Sequence, residues 1–227
     1  MSAAPQASGA ASDDSAPGAG PDPGPHLAAC AAAAVAGAEA ALAAALDAAL
    51  AAGVAPTALR EALLMLAPFA GYPRTLDALS ALRAAFGRAP AGSAPAVESG
   101  LPADPGVRAE LFRARGRALF ARVYGADAER VLGRLEALDA ELPAWVLESA
   151  YGRVLARPGL DLAQRERVAV VLLAAQGLVQ QLPGHVHGAL RAGATAADVR
   201  ASLDAAAALV PRAARDVAER ALLRAAR

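Results

Sequence analysis

The stretch LDLAQRERVAVVLLAAQGLVQQLPGHVHGALRAG, residues 160–193, decides the fold that this sequence predicts. Residues 168–175 within it are continuously apolar, and Gly177 interrupts the run. This pattern predicts an outward helix over residues 166–176 and a returning helix over residues 178–185. At about 1.5 Å of rise per residue the two helices travel about 15 Å and about 11 Å, so an antiparallel hairpin would bring His185 back level with Glu166.

Glu166 and His185 are therefore the candidate catalytic residues, because a carboxylate held against an imidazole between packed helices can move a proton. Two structural interpretations stand beside this one. Glu166 also suits the first turn of a helix, where the helix dipole favours acidic residues. His185 also suits a core position in which it donates to a backbone carbonyl. A metal site at His185 and His187 is not expected, because neighbouring ligands on a helix need a spacing of three or four residues.

The composition predicts an all-α protein. Alanine is the most frequent of the 227 residues and the strongest helix former, whereas β-branched and aromatic residues are sparse. The 22 basic residues, all of them arginine, balance 22 acidic residues, so neither nucleic acid nor an anionic membrane surface is expected as a partner. A small-molecule substrate is the expected partner, and no cofactor is expected.

Three features of the N-terminal half predict a cytoplasmic protein. No arginine or lysine precedes Arg60, so the positive segment that opens a secretory signal is missing. The alanine-rich residues 27–52 contain Glu39 and Asp47, and alanine gains little on transfer to a bilayer, so a transmembrane helix is not expected. Cys30 is the single cysteine, which fits a reducing compartment.

Glycine, proline and serine divide the chain into four segments. Residues 1–25 have nothing to pack and are expected to form a disordered tail. Residues 26–87 predict a first helical unit, which opens with one long helix over residues 26–52. Residues 88–105 predict a linker, and residues 106–227 predict a second helical unit.

The two helical units resemble each other at an offset of 140 residues, with the segment from Ala45 lying over the segment from His185. The coinciding pairs are Ala49/Ala189, Leu50/Leu190, Ala52/Ala192, Gly53/Gly193 and Arg60/Arg200. A helix, a glycine stop and a second helix are shared, which predicts a duplicated helical unit. Because Ala45 stands where His185 falls, we expect at most one site per chain.

Three stretches resemble the carboxymuconolactone decarboxylase family and its alkylhydroperoxidase-D-like (AhpD-like) relatives. They are RERVAVVLLAAQGLVQQLPGHVHGALRAGATAADVRASL at 165–203, LREALLMLAPFAGYPRTLDAL at 59–79 and YGRVLARPGLDL at 151–162. The resemblance covers most of residues 35–225 and implies an all-α, AhpD-like helical fold built from two related carboxymuconolactone-decarboxylase-like repeats. In that interpretation the first repeat, residues 26–87, is degenerate, and the second repeat carries the site.

In the peroxidase branch of these relatives, a glutamate is followed at fixed spacing by two cysteines and a histidine. The same spacing in this chain gives Glu166, Leu178, Gln181 and His185. The acid and the imidazole are retained and both thiols are absent, whereas thiol peroxidase chemistry needs a nucleophilic thiolate and a resolving partner. The resemblance therefore disfavours peroxide reduction.

Resemblance to the decarboxylase branch implies a small acidic, lactone-type substrate and a homo-oligomer, either a trimer or a dimer of two-repeat chains. The implied chemistry is proton transfer by Glu166 and His185, with Gln181, Leu178 and Arg165 as substrate-pocket residues. Gln181 would orient the substrate one turn before His185. Arg165 would hold the substrate carboxylate, although adjacent residues diverge by about 100° on a helix. This branch often has glutamate at the position of Gln181, which changes the charge of the site.

Three functions of different classes follow from these residues. The favoured one is a cofactor-free decarboxylase or isomerase that acts on a small carboxylated substrate through Glu166 and His185. The second is a peroxide reductase that borrows thiols from elsewhere. The third is a non-catalytic scaffold or small-ligand-binding protein whose site has decayed. Hydrogen-bond contact between Glu166 and His185 in a closed pocket distinguishes the first from the third.

Overall fold

The computed structural model describes residues 22–88 and 100–226, and every regular element in that part of the chain is helical. The helices are α1 (Gly24–Ala36), α2 (Glu39–Ala51), α3 (Pro56–Leu64), α4 (Leu66–Ala70), α5 (Tyr72–Arg88), α6 (Pro105–Tyr124), α7 (Ala128–Leu138), α8 (Leu142–Trp145), a π-helix (Val146–Leu155) that continues α8, α9 (Leu162–Ala175), α10 (Leu182–Arg191), α11 (Ala196–Ala205) and α12 (Arg212–Ala225). The all-α prediction is confirmed. No helix within the described ranges combines the length and apolarity needed to cross a membrane.

The duplicated unit predicted from the sequence is present as two sets of four helices. Shifting α1, α2, α3 and α5 by 140 residues places them over α9, α10, α11 and α12. The shared glycine stop has the same backbone in both copies, since Gly53 and Gly193 have φ angles of 79° and 100°. Each N–H donates to the carbonyl three residues earlier, at 3.0 Å and 3.1 Å. A glycine is favoured there because residues with a β-carbon avoid this left-handed region.

Helix α9 is the centre of the fold and carries one half of the candidate site. Residues 165–174 are all buried, and α9 packs against α1, α10 and α11. Because neighbours cover it on several sides, its sequence is apolar all round from Val168 onward. The helix begins at a capping box in which Asp161 accepts from the Gln164 N–H at 2.7 Å and Gln164 accepts from the Asp161 N–H at 3.1 Å.

The prediction of one continuous helix over residues 26–52 is wrong, because the structure divides this segment into α1 and α2. Gly37 ends α1 with a φ of 68°, and its N–H donates to Ala34 O at 3.1 Å while the Ala38 N–H donates to Ala33 O at 3.0 Å. This C-terminal cap folds α2 back onto α1. The run of alanines hid the break, because it supplies no polar face whose periodicity would have been interrupted.

The predicted disordered tail ends earlier than expected. Helix α1 begins at Gly24, and the Asp22 carboxylate binds the Arg167 guanidinium through two hydrogen bonds of 2.7 Å and 3.0 Å. This contact orders residues 22–25 against α9, because a buried arginine needs an anion to offset its desolvation. Residues 1–21 of the predicted tail and residues 89–99 of the predicted linker lie outside the described residues.

The returning helix of the predicted hairpin also begins later than expected, at Leu182 and not at Leu178. Pro183 explains the difference, because proline lacks an N–H and is accommodated in the first turn of a helix but not in its interior. His185 therefore lies in the first turn of α10. Residues 176–181 are not helical and connect the end of α9 to the start of α10.

Helix α6 crosses the π-helix through two glycines. A β-carbon at Gly116 would lie 1.8 Å from Leu147 O, and one at Gly152 would lie 1.9 Å from Phe112 O. Both glycines are buried, so the two backbones are in direct contact. This crossing joins α6, which packs against α10, to the π-helix, which packs against α4.

Candidate functional site

His185 and Glu166 are in direct contact in the core. His185 Nδ1 lies 2.9 Å from Glu166 Oε2, and the two residues are 6% and 0% exposed. The two atoms are within hydrogen-bond distance, and an ionised carboxylate in this position accepts the Nδ1–H of the imidazole. The contact joins the second turn of α9 to the first turn of α10 and agrees with the proximity that the hairpin predicts. The catalytic role of the two residues stays a prediction.

The position of the Glu166 carboxylate depends on Gly188, a residue that the sequence pattern did not indicate. A β-carbon at Gly188, one turn after His185, would lie 2.6 Å from Glu166 Oε2 and 2.8 Å from Val123 Cγ1. Any larger residue at 188 would therefore push the carboxylate away from the imidazole. Oε1, the second oxygen of Glu166, is buried without a hydrogen-bond partner in the described structure. A buried acceptor of this kind is costly unless a ligand group or water satisfies it.

Phe69 and Tyr124 lie against the imidazole, and Tyr151 packs against Tyr124; these three residues form an aromatic wall. The rings of Phe69 and Tyr124 meet the His185 ring edge-on, with centroids 5.6 Å and 6.2 Å away. The Tyr151 hydroxyl donates to the Tyr124 hydroxyl at 3.2 Å. Burial raises the pKa of both phenols, and the nearby Glu166 carboxylate raises each pKa further. Both hydroxyls therefore remain protonated donors at neutral pH.

The sequence offered a weak signal for Tyr124 and none for Tyr151. Tyr124 lies one helical turn after Phe120 in the sequence, a spacing that places the two aromatic residues on one side of a helix. Tyr151 lies on the π-helix over residues 146–155, which the sequence pattern does not predict. Phe69 stands in an apolar segment of the sequence that indicates packing alone, and the structure places its ring against the imidazole.

A groove of about 430 Å³ is lined by Tyr124, which contacts His185, and by Gly184, which precedes His185 in the chain. Gln181 and Arg191 also line it, whereas Glu166 and His185 are not among its lining residues. Of the predicted pocket residues, Gln181 is therefore at this groove. Leu178 is 40% exposed in the preceding turn and is not among its lining residues.

Arg165, the third predicted pocket residue, does not line this groove. Its guanidinium is 1% exposed, donates to Arg157 O at 2.6 Å and lies 3.4 Å from Glu61 Oε2. Burial lowers the pKa of the guanidinium, and the Glu61 carboxylate acts in the opposite direction. Arg165 thus belongs to an ion-pair cluster with Glu61, as the divergence of adjacent residues on a helix leads one to expect.

His187 faces away from the pair, as its spacing predicts. Its Nε2 lies 3.3 Å from Ala221 O on α12. Within the described ranges no group of three His, Cys, Asp or Glu side chains is arranged to hold a metal ion. The site that the structure brings together is therefore an acid/base pair within an aromatic wall.

Cys30 lies on α1 and is fully buried among apolar residues. Burial raises the pKa of its thiol to about 12, so the thiol stays protonated at neutral pH. We expect a disulfide reagent to label Cys30 completely in denaturant and not in the native protein. Consumption of hydrogen peroxide with dithiothreitol should be the same for Cys30→Ser and the wild type. Rapid native labelling, or a loss of peroxide consumption in the variant, would contradict this expectation.

The fold and the pair together define a class: a two-repeat, all-α AhpD-like protein whose site holds an acid and an imidazole and no thiol. The model of the carboxymuconolactone decarboxylase family matches residues 9–84 and 140–226, well over half of the sequence. The chain belongs to the carboxymuconolactone decarboxylase family.

A curated relative is similar to this chain over part of its length. Peroxisomal protein 2 of Schizosaccharomyces pombe is 30% identical over 139 residues, which is 60% of this chain and 61% of the relative. The matched part thus spans about three fifths of that relative's length. Its name states a location and no reaction, so it adds to the family assignment without specifying an activity.

Proposed function

We propose that this protein is a cofactor-free, carboxymuconolactone decarboxylase-like enzyme that decarboxylates or isomerises a small carboxylated, lactone-type substrate. The observation that carries the proposal is the buried 2.9 Å contact between His185 Nδ1 and Glu166 Oε2. Family membership supports the class of substrate. The absence of a second cysteine from the sequence, and the burial of Cys30, argue against the peroxide-reducing alternative.

The pair is arranged so that His185 moves the proton and Glu166 holds the imidazole. Glu166 accepts from Nδ1, which fixes the tautomer and leaves Nε2 as the ring nitrogen that can take or give a proton. The carboxylate also stabilises the imidazolium that forms when Nε2 is protonated, and this stabilisation is strong because water is excluded. Glu166 therefore acts as the positioning residue, and His185 acts as the acid/base.

In the isomerisation, Nε2 removes a proton from a carbon next to the lactone or carboxyl carbonyl. The electron pair of the C–H bond moves into the conjugated carbonyl, and the imidazolium returns the proton at a different carbon. In the decarboxylation, the bond to the carboxylate breaks and carbon dioxide leaves. The electron pair of the broken C–C bond forms the same kind of enolate, and a protonated His185 then donates its proton to the enolate carbon. Neither reaction needs an external oxidant or reductant.

The negative charge on the enolate oxygen needs a hydrogen-bond donor. Tyr124 lines the groove, and its hydroxyl already accepts from Tyr151, so its own proton is free for a substrate oxygen. Since burial keeps the phenol protonated, Tyr124 is the donor that we assign to the enolate.

The first test is turnover of 4-carboxymuconolactone, followed by its ultraviolet absorbance and by carbon dioxide release. His185→Gln keeps a donor for Glu166 and is expected to remain folded while turnover falls about a hundredfold or more. His26→Gln is the matched control, because His26 lies on α1 and is not among the residues that line the groove, and it should keep its turnover. Unchanged turnover in His185→Gln would contradict the assignment. Binding of the lactone without any turnover by the wild type would favour the non-catalytic, ligand-binding alternative.

Two further expectations belong to this proposal. We propose a homo-oligomer, a dimer or trimer, because Tyr72 and Leu76 lie one turn apart on α5 and are 74% and 65% exposed, which makes an apolar patch that a second copy would cover. We also propose a reducing compartment such as the cytoplasm, since the sequence has a single cysteine.

A further inference from the structure

Helix α7 separates its charges onto two faces. One face, with Arg130, Val131, Arg134, Leu135 and Leu138, lines the groove beside Tyr124. The opposite face, with Glu129, Leu132 and Glu136, lines a different cleft, which it shares with Arg113 and Arg117 of α6. The spacing of three and four residues explains this division. The cations of α7 therefore face the groove, and its anions face away from it.

The groove has an excess of positive charge, although the sequence as a whole is balanced at 22 basic and 22 acidic residues. Its lining contains Arg130 and Arg134 from α7, Arg191 from α10, and Asp127 as the one carboxylate. Arg130 binds Asp127 at 2.6 Å, and hydrogen bonding and charge from Arg130, with the charges of Arg191 and Arg134, lower the pKa of Asp127. One carboxylate thus faces three converging cations, and two positive charges remain unbalanced.

Two of the three cations, Arg130 and Arg191, are held by hydrogen bonds, and apolar residues line the same groove. Arg191 is fixed by its donation to Val123 O at 2.9 Å. Leu135, Leu138 and Pro183 supply apolar surface between the guanidinium groups. A volume of about 430 Å³ suits a small organic molecule, and the mixture of apolar surface with a few fixed charges is typical of a ligand site.

Tyr124 connects this groove to the buried pair. Its side chain lines the groove, and its ring lies edge-on to the His185 ring with 6.2 Å between the centroids. A ligand with its anionic group at the arginines can therefore reach Tyr124, whose ring is in contact with the imidazole.

Most of these residues come from a part of the chain outside the family match. The matched regions end at residue 84 and resume at residue 140, whereas Tyr124, Arg130 and Arg134 lie between them on α6 and α7. Only the α10 side of the groove, including Arg191, is within a matched region. The positive groove is thus lined mostly by residues that lie outside the matched regions.

We propose that α6 and α7 build a specificity site in which Arg134, Arg191 and Arg130 bind the oxyanion group of a small, partly apolar ligand, a carboxylate or a phosphate. The inference rests on the proposed function in that this ligand is the substrate of the His185–Glu166 pair. Binding itself requires no turnover. The site selects ligands by their charge, because an uncharged isostere would leave the guanidinium groups without an anion.

The test uses benzoate, benzamide and phenyl phosphate in calorimetric titrations of the full chain at low salt. Benzoate and benzamide have the same shape and differ in charge, and phenyl phosphate distinguishes a phosphate ligand from a carboxylate ligand. We expect saturable binding of benzoate or phenyl phosphate, with benzamide at least about tenfold weaker. Added salt should weaken the binding of the anions, because the groove is open to solvent.

Arg134→Gln removes one positive charge from the groove and should raise the Kd of the anion about tenfold. Arg117→Gln removes the same charge from the neighbouring helix, in the cleft that Glu129 and Glu136 line, and should leave the Kd unchanged. Because these titrations involve no turnover, loss of the proposed reaction with anion binding intact is distinguishable from a failure of this site. Equal binding of benzamide and benzoate, equal effects of Arg134→Gln and Arg117→Gln, or no saturable binding of either anion would overturn the proposal.

Discussion

Gly152→Ala is expected to lower the free energy of unfolding by about 3 kcal/mol, which is at the upper end of the cost of overpacking a core. The added β-carbon would lie 1.9 Å from Phe112 O, and that oxygen belongs to the backbone of α6. A side chain can rotate away from such a contact, whereas a helix backbone has to move as a whole. The crossing of α6 and the π-helix must therefore widen. Equilibrium denaturation in urea, followed by circular dichroism, measures the change.

Gly133→Ala is the matched control for this prediction. Gly133 lies in the interior of α7 and is exposed, and a β-carbon there would meet nothing within 4 Å. Alanine should raise the free energy of unfolding by about 0.5–1 kcal/mol, because it restricts the unfolded chain and favours the helix. If the two variants changed stability alike, the effect would belong to glycine in helices generally and not to the crossing.

The same crossing links folding to the site. Tyr151 lies on the π-helix next to Gly152, and Tyr124 lies at the end of α6, so their 3.2 Å hydroxyl contact depends on how closely the two helices approach. A variant that separates the helices without unfolding the protein should therefore also separate the two phenols. The aromatic wall around His185 depends in this way on two glycines that have no chemistry of their own.

The acid/base pair was predictable from the sequence because its determinants are local. Glu166 and His185 are joined by a single helix and turn, and the glycine after the apolar run marks where the chain reverses. The detailed path was predicted less well, since the returning helix begins at Leu182 and Pro183 had been placed inside it. The repeat was predictable for the same reason, because a glycine stop recurs at Gly53 and Gly193.

The surroundings of the pair were not predictable, because they depend on contacts between distant parts of the chain. Tyr151 meets Tyr124 across 27 residues of sequence. Arg165 and Glu166 are neighbours, yet Glu166 turns toward α10, and Arg165 turns toward Glu61, which is 104 residues away. Sequence spacing shows that adjacent helical residues diverge but not which neighbour each one meets.

The second large effect is expected from Glu61→Ala, which should lower the free energy of unfolding by about 3–5 kcal/mol. Glu61 is 4% exposed and accepts from Arg157 at 2.8 Å, from Arg60 at 2.8 Å and from Arg165 at 3.4 Å. Arg165 is itself 1% exposed, so it cannot turn to water when its carboxylate is removed. An unpaired charge would then remain in the core, which costs more than the pair contributes when it is intact.

Two variants test whether burial is the cause of that loss. Glu219→Ala breaks the Arg200–Glu219 ion pair, whose side chains are 45% and 43% exposed, and it should cost only about 0–1 kcal/mol. Adding Arg165→Met to Glu61→Ala removes the stranded charge and should recover part of the stability in urea denaturation. A double variant less stable than Glu61→Ala would mean that Arg165 stabilises the fold through its bonds to the carbonyls of Arg157 and Pro158. If stability is recovered, the Glu61 cluster is a charge-compensated contact between α3 and the start of α9. This contact then holds in place the helix that carries Glu166.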